Sequence, residues 1–173
     1  MEIFGGIVVL LFLIMLSGIK VVKDNTRLVV YRLGKVIATK GSGIHLIVPF
    51  LDSAELVDTR LMALETPVVK ASTLDNRSVN IAAVCMFQVG DAKKAVTKVE
   101  DAAKATAGAA QLVLRNIVGQ IDLNNLQTEQ KGVNKKLKGA LEKQTREWGI
   151  NIKSVEIKDL QVCDPDTSEI APG

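Results

Sequence analysis

Apolar residues run without interruption at the start of the chain and later recur at spacings typical of strands and then of helices. Residues 3–19 contain no charge and almost nothing polar. A helix of this length reaches roughly 25 Å, near the lower limit for crossing a hydrocarbon core of about 30 Å. The run predicts a transmembrane anchor over residues 1–21, with these apolar side chains in the lipid: Ile3, Phe4, Ile7, Val8, Val9, Leu10, Leu11, Phe12, Leu13, Ile14, Met15, Leu16 and Ile19.

A cleavable signal peptide, a buried core helix and a shallow in-plane helix are competing interpretations of this run. A signal peptide begins with a basic region, whereas this chain opens with Met1 and Glu2. A core helix has polar positions at helical spacing and an in-plane helix has a charged face, and the run has neither. An apolar segment embedded in the bilayer without a full span stays open as an alternative to the anchor.

The charges beside the apolar run predict its orientation. Lys20, Lys23 and Arg27 follow the run, and Glu2 is the only charge before it. Because basic flanks stay on the cytoplasmic side, we expect a single-pass N-terminal anchor with the body of the chain in the cytoplasm. The same three basic residues are candidates for contact with anionic lipid headgroups.

The pattern after the anchor is typical of strands as far as about residue 90. Segment 27–32 is rich in β-branched and aromatic residues, and segments 54–60 and 62–70 partly alternate apolar with polar residues. Residues 78–89 give the strongest strand pattern, which is long and largely apolar.

Segment 44–51 has two interpretations that the sequence leaves open. It is apolar except for His45, and Pro49 excludes it from the middle of a sheet. It is either a buried edge strand or an apolar segment that dips into the bilayer beside the anchor. In the second case it is a second membrane contact made by Ile44, Leu46, Ile47, Val48, Phe50 and Leu51.

The second half of the chain changes to helical spacing. Segments 92–99 and 101–118 are rich in alanine and lysine, and Asp91 and Asp101 are suited to cap their N-termini. Residues 119–126 are interpreted as a linker. An apolar stripe then predicts a helix over 128–148, which Gly149 would end.

The last strand pattern, at 150–160, precedes a polar tail at 164–173. Strands followed by helices and a returning strand predict the α+β class, in which the last strand pairs with earlier ones. The net charge of +3 and an aromatic fraction of 3% do not favour nucleic-acid binding.

The sequence predicts no catalytic, cofactor or metal site. Its one histidine, His45, lies in an apolar run, and no Gly-x-Ser-x-Gly elbow is present to supply a nucleophile. Cysteines and carboxylates are scattered instead of clustered, and Cys85 is interpreted as a small core residue. We therefore expect a protein that is not an enzyme.

Through short motifs in a fixed order, the chain resembles stomatin/prohibitin-type proteins, which share the SPFH or band 7 domain. Within that group the chain most resembles the prokaryotic stomatin homologues, or slipins. The resemblance extends over nearly the whole chain, and no single motif is diagnostic. The motifs include Tyr31-Arg32-Leu33-Gly34-Lys35, Gly41-Ser42-Gly43-Ile44-His45, Val57-Asp58-Thr59-Arg60, Leu114-Arg115-Asn116-Ile117-Val118-Gly119, Trp148-Gly149-Ile150 and Val155-Glu156-Ile157-Lys158-Asp159.

The resemblance implies a membrane-anchored scaffold that forms homo-oligomeric rings, gathers lipids into membrane microdomains and binds membrane proteins. A membrane protease or an NfeD-type protein is the partner it suggests, with no cofactor. The alternative is an accessory subunit of a membrane protease or other membrane complex that does not self-assemble. The family implies a mainly antiparallel sheet with packed helices, in a membrane-proximal subdomain at 22–62 and an α/β subdomain at 63–163.

The chain departs from this family at its C-terminal end. Relatives usually continue into a long helix rich in alanine and glutamate, whereas this sequence stops at Gly173. It is either a natural short form or a truncated one. Contacts between the folded domains are then the route to a ring, and the candidate interface residues are Ala102, Ala105, Ala109, Lys135, Glu142 and Arg146.

Overall fold

A computed structural model of the chain describes residues 18–48 and 51–163, together with Gly6. The chain divides into two compact units, Met1–Arg60 and Leu61–Gly173. Most of the predicted anchor and the polar tail at 164–173 lie outside the described residues. Within the described part of the chain, no helix combines the length and apolar character needed to cross a bilayer.

The described residues of the first unit form two small antiparallel sheets. Strands β1 (Ile19–Val22) and β4 (Gly43–Leu46) form a two-stranded ribbon. Strand β2 (Thr26–Arg32) lies between β3 (Lys35–Lys40) and β5 (Asp52–Asp58) in a three-stranded sheet. The predicted anchor extends to residue 21, so its end needs correction, because Ile19 already belongs to a strand.

The second unit is built around β8 (Ser78–Val89), the strand with the strongest sequence pattern. One edge of β8 pairs along its length with β9 (Ile150–Cys163), and the other pairs in turn with β7 (Val69–Ser72) and β6 (Met62–Glu65). The single strand expected over 62–70 is therefore wrong: it is broken around Pro67, which has no N–H to donate to a ladder.

Four α-helices are present in the described part of the second unit: α1 (Ala92–Lys98), α2 (Ala102–Val118), α3 (Leu123–Thr128) and α4 (Gln130–Thr145). Asp91 accepts a hydrogen bond from the Lys94 N–H at 3.2 Å, and Asp101 accepts from the Ala103 and Lys104 N–H groups at 2.9 and 3.1 Å. These contacts confirm both predicted N-caps.

The helical region also corrects two boundaries. The expected linker at 119–126 is wrong, because α3 begins inside it and Leu126 is fully buried. Helix α4 ends before the predicted boundary and is followed by a 3₁₀ turn, Arg146–Trp148. Gly149 then takes a φ of 73°, so the predicted stop is confirmed.

Helices α2 and α4 pack on the second unit's sheet around one hydrophobic core. Its fully buried side chains include Ile81, Phe87, Leu114, Leu126, Leu137 and Leu141. The mixture of antiparallel sheets and packed helices confirms the predicted α+β class.

Candidate membrane-contact surface

The ribbon in the first unit has an apolar face that is open to solvent. Its register pairs Ile19 with Leu46 and Val21 with Ile44. Because successive side chains of a strand point to opposite faces, these four side chains lie together on one face. They are 46%, 50%, 69% and 75% exposed in that order. We call these four residues the ribbon face.

The other side of the ribbon lies on the small core of the first unit. Val22 is buried there with Leu28, Val30 and Ile47. Val22 therefore covers this core from one side of the ribbon, whereas the ribbon face on the other side is left uncovered. A contiguous exposed apolar patch of this kind marks a surface for a membrane or a partner.

The loop that follows β4 adds Val48 and Leu51, which are both about half exposed. The Asp52 N–H donates to the Val48 carbonyl at 3.0 Å, and the Val48 N–H donates to Oδ2 of Asp52 at 3.4 Å. Arg32 completes the arrangement, with Nε 2.7 Å from Oδ1 and Nη2 3.0 Å from Oδ2 of Asp52. These hydrogen bonds hold the two ends of the loop together.

Arg32 also sets the ionisation of Asp52. Its hydrogen bonds and positive charge hold the pKa of the Asp52 carboxyl below its ordinary value, against an opposing effect of desolvation. The carboxylate therefore stays charged and keeps both hydrogen bonds near neutral pH.

The hairpin between β2 and β3 places another apolar side chain near this loop. Leu33 and Gly34 form its two-residue turn, with φ of 49° and 80°, and Leu33 is 82% exposed. A bulky residue at positive φ is uncommon. Because Arg32 pairs with Asp52, Leu33 and Leu51 each lie one residue beyond the last pair, at the same end of the sheet.

The ribbon also joins this surface to the end of the predicted anchor. The Ile47 N–H donates to the Gly18 carbonyl at 2.8 Å, which extends the β1–β4 pairing by one step. The chain therefore leaves the apolar run beside the loop that carries Val48 and Leu51.

The structure separates the residues of the predicted second membrane contact. Ile44, Leu46, Val48 and Leu51 are exposed, so the interpretation of 44–51 as a buried edge strand is wrong for the described residues. Ile47 is a core residue and does not belong to the contact. Phe50 lies outside the described residues.

Val21 and Leu33 belong to this surface, although the sequence pattern did not predict them as contact residues. Val21 had a detectable signal, since it follows Ile19 at the strand spacing of two. Leu33 had a weaker one, because a glycine beside a leucine between two strand patterns indicates a tight hairpin turn but not an exposed apolar tip.

The basic residues next to the anchor lie on the first unit's surface. Lys20 is exposed and pairs in register with His45, on the side of the ribbon opposite the ribbon face. Lys23 and Arg27 are exposed in the β1–β2 turn and in β2. Nε2 of His45 is 2.9 Å from the Gly41 carbonyl oxygen, so this histidine has a backbone partner.

The predicted interface residues are divided between the surface and the core of the second unit. Ala109 is buried in the core, whereas Ala102 and Ala105 are half-buried on α2. Lys135, Glu142 and Arg146 are exposed on α4 and the 3₁₀ turn after it. Ala109 therefore contributes to internal packing of the unit.

The described residues contain one buried thiol, Cys85, and no candidate metal cluster. Burial raises the pKa of the Cys85 thiol to about 11, so it stays protonated and unreactive near neutral pH. No cluster of three or more histidine, cysteine or carboxylate side chains suited to a metal occurs among residues 18–48 and 51–163.

Comparison with known proteins decides the family. The model of the SPFH domain / Band 7 family matches residues 20–170. The chain belongs to this family. Stomatin-like SPFH proteins are generally membrane-associated scaffolds and generally not enzymes. The resemblance found in the sequence is therefore confirmed.

The SPFH chain is similar to stomatin homologues of archaea and animals. It is 40% identical to a stomatin homologue of Pyrococcus abyssi over 92% of this chain and 60% of the relative. It is also 40% identical to a stomatin homologue of Pyrococcus horikoshii, over 91% of this chain and 59% of that relative. Mouse stomatin is 32% identical over 83% of this chain and 51% of its own. The chain spans about six-tenths of the length of these archaeal relatives.

Proposed function

We propose that this protein is a membrane-anchored, oligomeric scaffold that organises lipids and membrane proteins on the cytoplasmic side of a membrane, and that a membrane protease or an NfeD-type protein is among its partners. The observation that carries the proposal is the ribbon face. It supports a second contact with lipid, made by the folded first unit beside the anchor.

The energetics favour lipid as the cover for this surface. Fully burying one large aliphatic side chain is worth about 1.5–3 kcal/mol. The ribbon face presents four such side chains, and Leu33, Val48 and Leu51 follow at the end of the sheet. A bilayer accommodates a surface of this kind without requiring complementary shape, and Lys20, Lys23 and Arg27 provide charge for anionic headgroups.

Oligomerisation is the second part of the proposal. Ala102 and Ala105 offer a small-sided, half-buried strip on α2, while Lys135, Glu142 and Arg146 offer an exposed charged surface. A stable subunit interface buries more than about 1,000 Å². A two-fold contact would bring the lysines of α4 together, so a head-to-tail ring, in which one patch meets a different one, is the arrangement we favour.

Cross-linking of the full chain in its membrane tests the oligomeric scaffold. We expect a ladder of self-oligomers. A single adduct with another protein, without self-adducts, would instead identify an accessory subunit of a membrane complex. The variant Ala102→Glu/Ala105→Glu should shorten the ladder. The control is Arg115→Glu, which makes an equal change of charge at an exposed position about 15 Å further along α2.

Membrane attachment is tested separately by replacing Leu11 and Leu13 with lysine. Each charge near the centre of a span costs about 3 kcal/mol on insertion scales, so the double variant should appear in the soluble fraction. Full retention of the variant in the membrane fraction would count against the anchor.

A further inference from the structure

The three-stranded sheet of the first unit has two open edges, one on β3 and one on β5. For the strands that the structure describes, β2 alone pairs with β3 and with β5. Residues 53–56 of β5 are all exposed, and Leu56 is 57% exposed. An open strand edge of this kind presents main-chain N–H and C=O groups that can pair with another chain.

Hydrogen bonds at the two ends of β5 show which of its main-chain groups face outward. The Thr59 N–H donates to the Asn25 carbonyl at 2.8 Å, on the side of β2. The Asp52 N–H donates to the Val48 carbonyl at 3.0 Å, on the other side. Because orientation repeats every two residues in an antiparallel ladder, the N–H and C=O of Leu56 face outward with those of Asp52.

The same alternation orients the main chain of β3. The Asn25 carbonyl faces β5, so the main-chain groups of Leu28, three residues further along, face β3. Lys40 pairs with Leu28 and therefore faces β2. Thr39, the residue next to Lys40, then faces outward, and it is exposed. Both edges of the sheet thus carry an exposed residue whose N–H and C=O point away from β2.

The two edges carry opposite charges. Strand β5 has three carboxylates and no basic residue, whereas β3 has two lysines and no carboxylate. Asp52 is held by Arg32 and is only 5% exposed, but the Asp58 side chain is 52% exposed and lies 4.0 Å from Arg60. Asp58 is therefore free to meet a second cation. Two edges of the same kind would face each other with like charges, which is unfavourable, whereas one edge of each kind is complementary.

The direction of the strands fits a ring. Strands β3 and β5 are both antiparallel to β2, so they run parallel to each other at opposite edges of the sheet. Neighbouring copies in a ring of many members are related by a small rotation, so β5 of one copy would meet β3 of the next with the strands parallel. The ribbon faces of all copies would then point the same way, as attachment to one membrane requires.

One register satisfies both the main chain and the charges. In a parallel pair, a residue whose main-chain groups face the partner lies opposite a residue whose groups face away. Ala38 faces β2, as Lys40 does two residues later. With Leu56 opposite Ala38 of the next copy, the Leu56 carbonyl accepts from the Thr39 N–H. Asp58 then lies opposite Lys40.

We propose that the outer edge of β5 pairs in parallel with the outer edge of β3 of a second copy of this chain, so that the small sheets of neighbouring subunits join into one continuous sheet. The inference rests on the oligomeric scaffold proposed above and deepens it, because it assigns a subunit contact to the first unit. Main-chain hydrogen bonds supply the affinity, and the opposite charges of the two edges favour head-to-tail pairing over pairing of like edges.

Disulfide trapping of the full chain in vesicles tests this contact. Within one copy, Ala38 and Leu56 lie on the two sides of β2, at least two strand spacings or about 10 Å apart. A disulfide needs Cα atoms within about 7 Å of each other. The variant Ala38→Cys/Leu56→Cys in a Cys163→Ser background can therefore form the bond only between copies. We expect a disulfide ladder on a non-reducing gel from the double variant and from neither single variant.

A matched pair of cysteines controls for chance collisions between copies. Lys93→Cys/Lys98→Cys in the same background places both thiols at exposed positions of α1, outside the sheet. This variant should give no disulfide ladder under the oxidising conditions that link the first pair.

Charge reversal tests the complementarity of the two edges. In the Ala38→Cys/Leu56→Cys background, Lys40→Glu and Asp58→Lys should each slow formation of the ladder about three- to tenfold. The combination Lys40→Glu/Asp58→Lys restores opposite charges across the contact and should restore the rate.

A proline tests the main-chain pairing separately from charge. Because the Thr39 N–H faces outward, Thr39→Pro removes the donor to the next copy and leaves the β2–β3 ladder its donors. It should slow the disulfide ladder, whereas Thr39→Val keeps the N–H and should not.

Four results would overturn the inference: no ladder from the cysteine pair, an equal ladder from the α1 pair, no recovery in the charge swap, or equal rates for Thr39→Pro and Thr39→Val. A dimer from Leu56→Cys alone would also overturn it, because that dimer indicates pairing of two β5 edges. Lysine-reactive cross-linking of the same variants reports oligomers of any geometry. A ladder there without the disulfide ladder would reject this contact and leave the scaffold standing, so the two failures are distinguishable.

Discussion

Arg32 and Asp52 face each other across β2 and β5, with Nε 2.7 Å from Oδ1 and Nη2 3.0 Å from Oδ2. The Asp52 side chain is only 5% exposed, while that of Arg32 is 49% exposed. The pair fixes the end of the sheet where Leu33 and Leu51 emerge. An ionic contact thus holds an apolar surface in place.

The first prediction concerns the pH dependence of this contact. Because the folded pKa of Asp52 lies below its unfolded value, its contribution to stability is present above the unfolded pKa of about 3.9 and is lost as the pH falls through the folded pKa. We expect the Tm difference between the parent and Asp52→Asn to be constant above about pH 5 and to shrink at lower pH. A difference that does not change with pH would contradict this account of the pair.

The second prediction concerns the turn that ends the helical region. A Cβ at Gly149 would lie 2.6 Å from the Asp91 carbonyl oxygen, and the backbone has a φ of 73°. Gly149→Ala should therefore lower the free energy of unfolding by more than about 1 kcal/mol. Urea denaturation measures the change.

Gly108→Ala is the matched control for that variant. Gly108 lies within α2 and has open space around a built Cβ. Replacing it should stabilise the protein by about 0.5–1 kcal/mol. If both variants shifted the urea midpoint in the same direction, the requirement for glycine in the left-handed conformation at position 149 would be rejected.

The third prediction concerns Thr66, which is buried at the break between β6 and β7. Its Oγ1 accepts from the Ala83 N–H at 2.9 Å and donates to the Ala83 carbonyl at 3.2 Å. Thr66→Val leaves that N–H without its partner and should cost about 1–3 kcal/mol. Thr66→Ser keeps the hydroxyl and should cost less than valine does; the reverse order would reject the role given to this side chain.

The fourth prediction concerns Cys85. Because burial raises the pKa of its thiol to about 11, almost none of it is thiolate at pH 8. In a Cys163→Ser background, iodoacetamide should leave the folded chain unmodified and alkylate it in denaturant, as mass spectrometry would show. Rapid alkylation of the folded chain would place Cys85 outside the core.

Periodicity predicted the elements whose side chains follow a regular local pattern, such as strand β8. Residue type predicted the two aspartate N-caps. Strand β9 shows the limit, because its apolar residues Ile152 and Val155 are three apart instead of two. The structure explains this step by the bulge at Lys153, and a second bulge at Lys158 explains the same step of three from Ile157 to Leu160.

The wrong predictions arise where tertiary packing or strand pairing determines the local structure. Residues 119–126 were expected to form a linker, but Leu126 is buried completely, and that packing stabilises helix α3. The exposure of Ile44 and the burial of Ile47 depend on which side of the ribbon covers the core. No local pattern contains that information.

Membrane depth of the first unit tests the central claim most directly. A cysteine carrying an environment-sensitive fluorophore is placed at Leu46, on the ribbon face, in the full chain with Cys163→Ser, reconstituted in vesicles that contain brominated lipids. The control places the label at Asp58, at the end of β5 opposite Asp52, about 20 Å away along the strand.

We predict strong quenching and a blue-shifted emission for the label at position 46, with little of either at position 58. Equal, solvent-like emission at both positions would show that the ribbon face does not contact lipid.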